Sequence, residues 1–473
     1  MNKNILINRF VSFTINKRRG YFKYPNPFKR TLDALSINIK NEFIKNKSPH
    51  FIYPEHTDVV IIGGGFIGSS AAFWIKQRTA EGMAVVVIDK DLTVNLSSNL
   101  GTPRNLSQGV LSQHFSQLEN IQLSQFSAQF LRKAKQNLNK NIDIQFYPHG
   151  YLVLASDKYA DNLEKNSRLL TEFGVKNELL SSEQIKKKYP YLNTNDVKLG
   201  CLSSESEGVF NANSLLNGYI EKSLETGAKY IDGEVIGFET EDQQHVLMQG
   251  VKPMTFKRLT RVAYKTKDGE ERFIKFALCI VAAGAESSNI AKLAKIGVGD
   301  DLLSVPLPIQ KREFNVYSLE GCTGKDKPGL NTPIIMDTSG LWLKRNGLEN
   351  NLICGQIPLI DPGNSLQNND YYEQIFKPSL QNRFPTLSNG KKIQKEEYDC
   401  NTFDDSGILG PHPYHNNLIL ATGFGRLGVP HSPGIGRAIS DLIIDSRFSH
   451  TDLTPFSFDR LLLKEPFVEF SIY

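Results

Sequence analysis

Cysteine is scarce in this sequence, with five copies among 473 residues. No two of them form a CxxC pair and their number is odd, so the pattern predicts neither a disulfide framework nor a zinc site. A chain without such spacing fits a reducing compartment, and we predict no metal site. The five positions are Cys201, Cys279, Cys322, Cys354 and Cys400.

Acidic residues are absent from the first 30 positions, which carry eight Lys and Arg residues. These eight charges exceed the formal net charge of +5, so the rest of the chain carries −3 and gives no support for nucleic-acid binding. A basic, acid-free segment with interleaved apolar residues is typical of a mitochondrial transit peptide, although a disordered basic tail has the same composition. We therefore predict a transit peptide and linker over residues 1–50, and a location in the mitochondrial matrix or at the inner membrane.

Long apolar runs are also absent. The most apolar window, residues 59–75, contains four glycines and two adjacent serines. It falls short of the roughly 20 apolar residues that a membrane-spanning helix requires. We interpret it as a buried strand followed by the start of a helix, and we expect any membrane association to be peripheral.

The same window contains a dinucleotide-binding fingerprint. Residues 58–62 form a β-branched run typical of a strand buried on both faces of a parallel sheet. Residues 63–68, the first glycine loop, match GxGxxG, whose glycines permit a tight turn, the approach of a pyrophosphate and close helix packing. A second β-branched run ends at Asp89, about twenty residues later, where a carboxylate can bind ribose hydroxyls. The acid favours FAD or NAD over NADP.

Later segments favour FAD over NAD. Residues 228–239, 276–294 and 417–443 indicate further strands and helices of a nucleotide domain, whereas 146–156 and 338–356 alternate like antiparallel strands. A chain that leaves the nucleotide domain and returns suits a long cofactor held at both ends; a contiguous NAD-dependent dehydrogenase is the alternative. We predict an α/β two-domain flavoprotein with a discontinuous Rossmann-like FAD-binding domain (56–145, 205–300 and 398–473) and an antiparallel-sheet substrate domain (146–204 and 301–397).

The order of the motifs carries a resemblance to a known family. The segments GGGFIG, IDKD, HGYLVLAS, IVAAGAES, DTSGLWLKR, ATGF and SPGIGRAISDLI resemble the D-amino-acid oxidase superfamily, in its sarcosine and dimethylglycine oxidoreductase branch. The resemblance runs from about residue 56 to the C terminus. Within it, FSQLENIQLSQFSAQFLR, YDCNTFDDSGILGPHP and SPGIGRA are similar to a family of mitochondrial flavoproteins linked to assembly of respiratory complex I.

The resemblance implies an FAD cofactor with assigned contacts. The first glycine loop would hold the pyrophosphate, Asp89 the adenosine ribose and Val235 the adenine, while the segments around 423 and 434–436 would face the flavin end. Glu397 stands where sarcosine oxidases carry a flavin-linked cysteine, so the FAD would be non-covalent. The implied cofactor-binding residues are Gly63, Gly64, Gly65, Phe66, Ile67, Gly68, Asp89, Lys90, Val235, Ala283, Gly284, Gly423, Gly434, Ile435 and Gly436.

The resemblance also implies hydride transfer from an amine to the flavin, which requires neither a nucleophilic triad nor a metal. A substrate carboxylate would need a cation. The first candidates are Lys344 and Arg345, and the alternatives are Lys311 and Arg312, although all four are equally consistent with solvated charges at strand ends. Tyr398 is a candidate to cap the substrate or, equally, a core aromatic.

The second glycine loop, residues 423–428, departs from the resemblance. Active relatives carry GFSGHG here, whereas this chain has Arg426 and Leu427. A cation at this point would favour the anion of reduced flavin, so Arg426 is the third candidate catalytic residue, after Arg345 and Tyr398.

Two functions are consistent with these expectations. The first is a mitochondrial FAD-dependent oxidoreductase-like protein required for assembly of respiratory complex I, with complex I subunits or assembly intermediates as partners. The second is an active FAD-dependent dehydrogenase or oxidase of an N-methylated or small amino acid, of the sarcosine or dimethylglycine type. The sequence leaves open whether the protein is an enzyme.

Overall fold

The computed structural model of the chain forms two compact units, Met1–His56 and Thr57–Tyr473. The elements below belong to the second unit, apart from the first residue of the opening strand. The predicted transit peptide and linker, residues 1–50, lie outside the described residues, as does Cys322. The described residues are 53–92, 109–243, 256–320, 327–347, 351–356, 371–387 and 391–469.

The secondary structure of these residues comprises seventeen strands in three sheets, and ten α-helices. In chain order the strands are β1 His56–Ile62, β2 Val85–Asp89, β3 Val110–Leu111, β4 Tyr151–Ala155, β5 Asn177–Ser181, β6 Leu199–Ser203, β7 Gly208–Val209, β8 Lys229–Asp242, β9 Lys257–Thr266, β10 Glu271–Val281, β11 Gln310–Glu320, β12 Ile334–Met336, β13 Leu341–Arg345, β14 Leu352–Gln356, β15 Lys391–Asn401, β16 Ile408–Pro411 and β17 Leu418–Thr422. The α-helices are α1 Phe66–Thr79, α2 Leu118–Arg132, α3 Ala134–Asn137, α4 Ala160–Glu172, α5 Ser182–Lys188, α6 Ala212–Glu225, α7 Ser287–Leu293, α8 Lys377–Arg383, α9 Ser432–Ile444 and α10 Asp459–Leu463.

The seven-stranded sheet joins segments that lie far apart in the sequence. β1 pairs in parallel with β2, and β2 with the start of β8, while β10 pairs with β1 and, in parallel, with β17. Three residues of β1, Val59, Val60 and Ile61, are fully buried, as an uninterrupted β-branched run predicts. The carboxyl ends of β1 and β17 flank that of β10, so the two glycine loops that follow them lie at one edge of the sheet.

The eight-stranded sheet has the order β15-β11-β14-β13-β12-β4-β6-β5. Its neighbouring strands are antiparallel, except that β12 runs parallel to β4. The antiparallel strands predicted around 146–156 and 338–356 are thereby confirmed, and the two sheets together confirm the predicted α/β class. The domain boundaries themselves stay a prediction, since β15 continues the second sheet as far as Asn401.

One face of the eight-stranded sheet, the helix-covered face, packs on helices α5 and α8. Its buried side chains include Leu152, Leu343 and Tyr317, which pack with Ile185 of α5 and Leu380 of α8. The opposite face packs near its centre against the short sheet formed by β3 and β7. The eight-stranded sheet therefore has two buried faces with different neighbours.

The helices of the described residues are short. The longest, α2, has 15 residues, and none of those described is long and apolar enough to cross a bilayer. The apolar window at 59–75 divides between β1 and α1, as predicted.

Candidate functional site

The first glycine loop is shaped by close approach of backbone atoms. Gly63 has φ of +103°, and a Cβ built there would lie 2.3 Å from the carbonyl oxygen of Ala282. A Cβ on Gly68 would lie 1.9 Å from the carbonyl oxygen of Gly63. Around Gly65, by contrast, no atom of the described residues other than its chain neighbours lies within 4 Å of the position that a Cβ would take. The loop is thus closed on the protein side and open where a pyrophosphate would approach the start of α1.

Asp89 lies beside this opening. Its Oδ2 accepts a hydrogen bond from the backbone N–H of Gly64 at 2.6 Å, and its Oδ1 accepts one from Asp91 N–H at 2.8 Å. The carboxylate is therefore fixed at the end of β2, next to the loop, where a ribose hydroxyl would donate to it. Lys90 lies with its Nζ 3.5 Å from Glu286 Oε1, in an exposed pair that contributes little to stability.

The other residues predicted for the adenosine half lie on neighbouring elements. Val235 is buried in β8, three residues beyond Asp232, the strand partner of Asp89. A register shift between Val235 and Gly237 bends the strand at this point. Residues 283–284 follow β10, whose end meets β1 through a bond from Ala282 N–H to the Ile62 carbonyl at 2.8 Å. These positions lie on, or directly after, strands of the same seven-stranded sheet; their individual contacts with the cofactor stay predictions.

The second glycine loop meets the first across more than 350 sequence positions. The Oγ of Ser70 in α1 donates to the carbonyl of Ser432 at 2.7 Å, and the Nε1 of Trp74 donates to that of Pro433 at 2.9 Å. Ile67 also lies close, since its Cδ1 is 3.7 Å from where a Cβ on Gly428 would stand. The two loops therefore border one extended cleft, as a long dinucleotide requires.

The glycines of α9 have a packing role. A Cβ on Gly436 would lie 2.2 Å from Ser70 Oγ, and one on Gly434 would lie 2.6 Å from a methyl of Leu123 in α2. Helix α9 begins at Ser432, a few residues after the second glycine loop ends, so its positive N-terminal end follows that loop. The small side chains are explained by contact with α1 and α2, while flavin contacts of 434–436 stay a prediction.

The residues predicted to bind the substrate lie on different faces of the eight-stranded sheet. Side chains alternate along a strand, and paired residues share a face. β13 pairs with β14, β14 with β11, and β11 with β15. The residues facing away from the helices include Trp342 and Lys344 of β13, Ile353 of β14, Arg312, Phe314 and Val316 of β11, and Glu397 and Asp399 of β15. We name this the cleft face, because Asn401, which alternation places on the same face as Asp399, pairs with Phe424 and has its side-chain amide against Gly425 of the second glycine loop.

Arg345 and Tyr398, both predicted to contact the substrate, lie on the other side of the sheet. Arg345 is buried on the helix-covered side, where its Nη1 donates to the carbonyl of Pro328 at 3.0 Å. Tyr398 is 48% exposed, and the Nζ of Lys311 lies 4.6 Å from its ring centroid. Arg345 follows Lys344 in the sequence, and Tyr398 follows Glu397. Because side chains alternate along a strand, Arg345 and Tyr398 lie on the face opposite the cleft face. This placement turns both side chains away from Lys344 and Asp399, and their substrate roles stay predictions.

The cleft face carries two buried charged side chains, Lys344 and Glu397, and the half-buried Asp399; with the exposed Arg426 of the second glycine loop they form a group that we name the charged cluster. Lys344 and Glu397 are only 5% and 3% exposed. Burial lowers the pKa of Lys344 to about 8, and Glu397 opposes that shift. Burial raises the pKa of Asp399 to about 6, with Arg426 as the strongest lowering influence and Glu397 as a raising one. Arg426 is exposed and is electrostatically coupled to Asp399.

The alternative cations are engaged in ion pairs at the surface. The Nζ of Lys311 lies 2.8 Å from Glu313 Oε1, and the Nη1 of Arg312 lies 2.6 Å from Asp405 Oδ1. The sequence-based prediction gives these two residues as alternatives to Lys344 and Arg345 and assigns no role to Asp399, which is the strand partner of Arg312. The alternation of Glu397, Tyr398 and Asp399 along one strand was the signal that separates the two faces.

Comparison with known proteins agrees with this geometry. The family profile described as FAD dependent oxidoreductase matches residues 58–442. The chain is 40% identical over 434 residues to the FAD-dependent oxidoreductase domain-containing protein 1 homolog of Drosophila melanogaster, covering 90% of this chain and 83% of that protein. It is 22% identical over 423 residues to monomeric sarcosine oxidase of Bacillus sp. (strain B-0618), covering 87% of this chain and 97% of that protein.

The fold has a counterpart among solved structures. L-proline dehydrogenase from P. horikoshii matches with a TM-score of 0.69 at 20% identity, covering 88% of this chain and all of that one. The family match and the shared fold confirm FAD as the predicted cofactor, and the glycine loops and Asp89 fit it. The chain belongs to the FAD-dependent oxidoreductase family, in the group of FAD-dependent oxidoreductase domain-containing protein 1.

Proposed function

We propose that this chain is a mitochondrial FAD-dependent oxidoreductase-like protein that acts in the assembly of respiratory complex I. The observation that carries the proposal is the contrast between an intact cofactor cleft and an altered loop at its flavin end, where Arg426 acts on Asp399. The basic, acid-free first 30 residues support the mitochondrial location. The resemblance of segments 115–132, 398–413 and 432–438 to complex I assembly flavoproteins supports the role.

The chain's own residues would hold FAD in a defined way. The first glycine loop and the start of α1 would bind the pyrophosphate, and Asp89 would accept the adenosine ribose. The second glycine loop and the charged cluster would border the flavin end. Bound FAD supplies a two-electron acceptor, and the protein contributes binding, orientation and exclusion of water.

The role in assembly is tested by deletion and rescue. Cells lacking the protein are expected to accumulate complex I subassemblies, visible on native gels, and the unaltered chain restores the mature complex. Rescue is then attempted with Asp89→Ala, which weakens FAD binding, and with Asp91→Asn, an exposed neighbour that serves as the control. Failure of Asp89→Ala alone shows that assembly needs the flavin. Normal complex I in the deletion cells would contradict the proposal.

A second function, amino-acid oxidation, is favoured by one observation. Lys344 is a buried cation on the cleft face, where a substrate carboxylate could bind, and Glu397 lies near it. The similarity to a sarcosine oxidase supports the same class of substrate, an N-methylated or small amino acid. Lys344 and Glu397 would bind and orient such a substrate over the flavin.

The two functions separate in a spectroscopic assay. The flavin-loaded protein is mixed without oxygen with sarcosine, dimethylglycine, glycine and L-proline, and loss of flavin absorbance is recorded. Rapid bleaching that disappears in Lys344→Met, but persists in the control Lys311→Met, supports the enzyme. An unbleached flavin with every compound supports the assembly role without turnover.

A further inference from the structure

A second cavity lies beside helix α2, with a lining different from that of the cofactor cleft. Its volume is about 240 Å³, the share of liquid volume of about eight water molecules. It opens between α2, the turn after α4 and the segment that joins β6 to β7. None of its lining residues belongs to either glycine loop or to the charged cluster. The cavity is therefore distinct from the predicted cofactor site.

The floor of the cavity carries a buried acid, Glu207. The residue is fully buried, and neither carboxylate oxygen has a hydrogen bond of ordinary geometry among the described residues. The nearest basic group is His114, whose Nε2 lies 3.8 Å from Glu207 Oε2 and 3.1 Å from Ser203 Oγ. Burial lowers the pKa of His114 to about 4. His114 is therefore neutral at physiological pH and supplies no positive charge to Glu207.

The protonation state of Glu207 depends on the charge of any group bound next to its carboxyl. Burial raises its pKa to about 8, against smaller lowering influences from the Gln113 backbone and the hydroxyls of Ser203 and Ser112. An ammonium group beside the carboxyl would favour the charged form and form a charge-assisted hydrogen bond. A buried acid in this environment is suited to bind a cation from solution.

The mouth of the cavity carries the opposite charge. Arg132 at the end of α2 donates from its Nη2 to the carbonyl of Glu205 and to Ser206 Oγ, which holds the guanidinium at the rim. The Nζ of Lys176 lies 2.8 Å from Glu205 Oε1, with both side chains more than half exposed. Such an exposed pair is weak, so a ligand carboxylate can compete with Glu205 for Lys176.

We propose that this cavity binds a small zwitterion, with its ammonium on Glu207 and its carboxylate between Arg132 and Lys176. Acid at the floor and bases at the mouth match a molecule that carries one charge of each sign. A ligand with a single charge would leave one end of the cavity unmatched. The proposal uses no flavin atom and does not depend on a role in complex I assembly.

Calorimetry on the flavin-loaded full chain tests the ligand class. Glycine, β-alanine and γ-aminobutyrate vary the separation of the two charges, while propylamine and butyrate each carry one. We expect the best zwitterion to bind at least about tenfold more tightly than either singly charged compound. Equal binding of propylamine or butyrate, or no binding of any zwitterion at millimolar concentration, would overturn the proposal.

Variants locate the site. Glu207→Gln and Arg132→Gln are expected to weaken the best zwitterion about tenfold or more, while Glu205→Gln strengthens it because Lys176 is released. Glu221→Gln, an exposed change on α6, is the control. If Glu207→Gln does not fold, the two surface variants still test the site, because Arg132→Gln should weaken binding and Glu205→Gln should strengthen it. The site is refuted if neither Arg132→Gln nor Glu205→Gln changes the affinity. It is also refuted if the ligand shifts the flavin spectrum and still binds to Glu207→Gln, since the ligand then lies elsewhere.

Discussion

The two glycine loops share a strand–loop–helix plan but differ in what surrounds them. In the first loop, backbone atoms crowd Gly63 and Gly68, and open space remains beside Gly65. In the second loop, a short helical turn carries two large side chains outward. Leu427 packs against the cluster that contains Phe115 and Ile121, and Arg426 acts on Asp399.

The difference shows which part of a cofactor site can change. A side chain at Gly63 or Gly68 would meet the protein's own backbone, so these two positions of the first loop are fixed by geometry. The large side chains of the second loop interact with α2 and β15 instead. Neither of these elements takes part in the predicted pyrophosphate site. Cofactor binding can therefore persist while the surroundings of the flavin are altered.

The largest expected effect comes from breaking the first loop. In Gly68→Ala the new methyl would lie 1.9 Å from the Gly63 carbonyl oxygen, so the loop must shift. We expect a loss of about 3 kcal/mol of unfolding free energy and failure to retain FAD. Urea unfolding measures the loss of stability, and the ratio of flavin to protein absorbance measures the retention of FAD.

Gly65→Ala sharpens this first prediction. Its methyl meets no protein atom, so the apoprotein should keep its stability while FAD binding falls. Gly82→Ala, also in open space but away from the cleft, is the control. Equal stability of the Gly68→Ala and Gly65→Ala proteins would show that the crowding at Gly68 is not decisive.

A smaller effect is expected at Asp89. Asp89→Asn removes the charge that a ribose hydroxyl would meet but can still accept the bond from Gly64 N–H. A charge-assisted bond contributes about 1.5–3 kcal/mol, so the dissociation constant of FAD should rise roughly 10- to 100-fold. Titration of apoprotein with FAD, followed by flavin fluorescence, measures the change, and Asp91→Asn should leave it unaltered.

The first loop could be predicted from sequence and the second only in part. A β-branched run, GxGxxG and an acid about twenty residues on are local signals, and each describes a backbone requirement. The roles assigned to Arg345 and Tyr398 depended instead on which face of a sheet a residue occupies. Strand alternation could have placed Tyr398 opposite Asp399, but which face meets the cleft is set by strand pairing between segments far apart in sequence.

A further effect concerns the electrostatics of the second loop. Asp399 has a pKa raised from 3.8 to about 6, so the folded protein holds a proton there that the unfolded chain releases. The contribution of Asp399 to the free energy of unfolding should therefore fall as pH rises from 3.8 to about 6, and level off above that pH. Arg426→Gln removes the strongest influence that lowers the pKa, so the fall should extend to higher pH. Unfolding midpoints across the pH range test this, with the exposed Lys135→Gln as a charge-matched control.

The smallest effect is expected on the far side of the sheet, at Tyr398. Tyr398→Phe changes a half-exposed hydroxyl that lies away from the cleft face, so unfolding free energy should move by less than about 0.5 kcal/mol. FAD content and any substrate-driven bleaching should match the unaltered protein. Lys344→Met, a change of a buried cation on the cleft face, is the contrast, because it removes a buried positive charge that interacts electrostatically with Glu397. A Tyr398→Phe protein that binds FAD normally but bleaches more slowly would return this residue to the substrate site and reverse the assignment of the two faces.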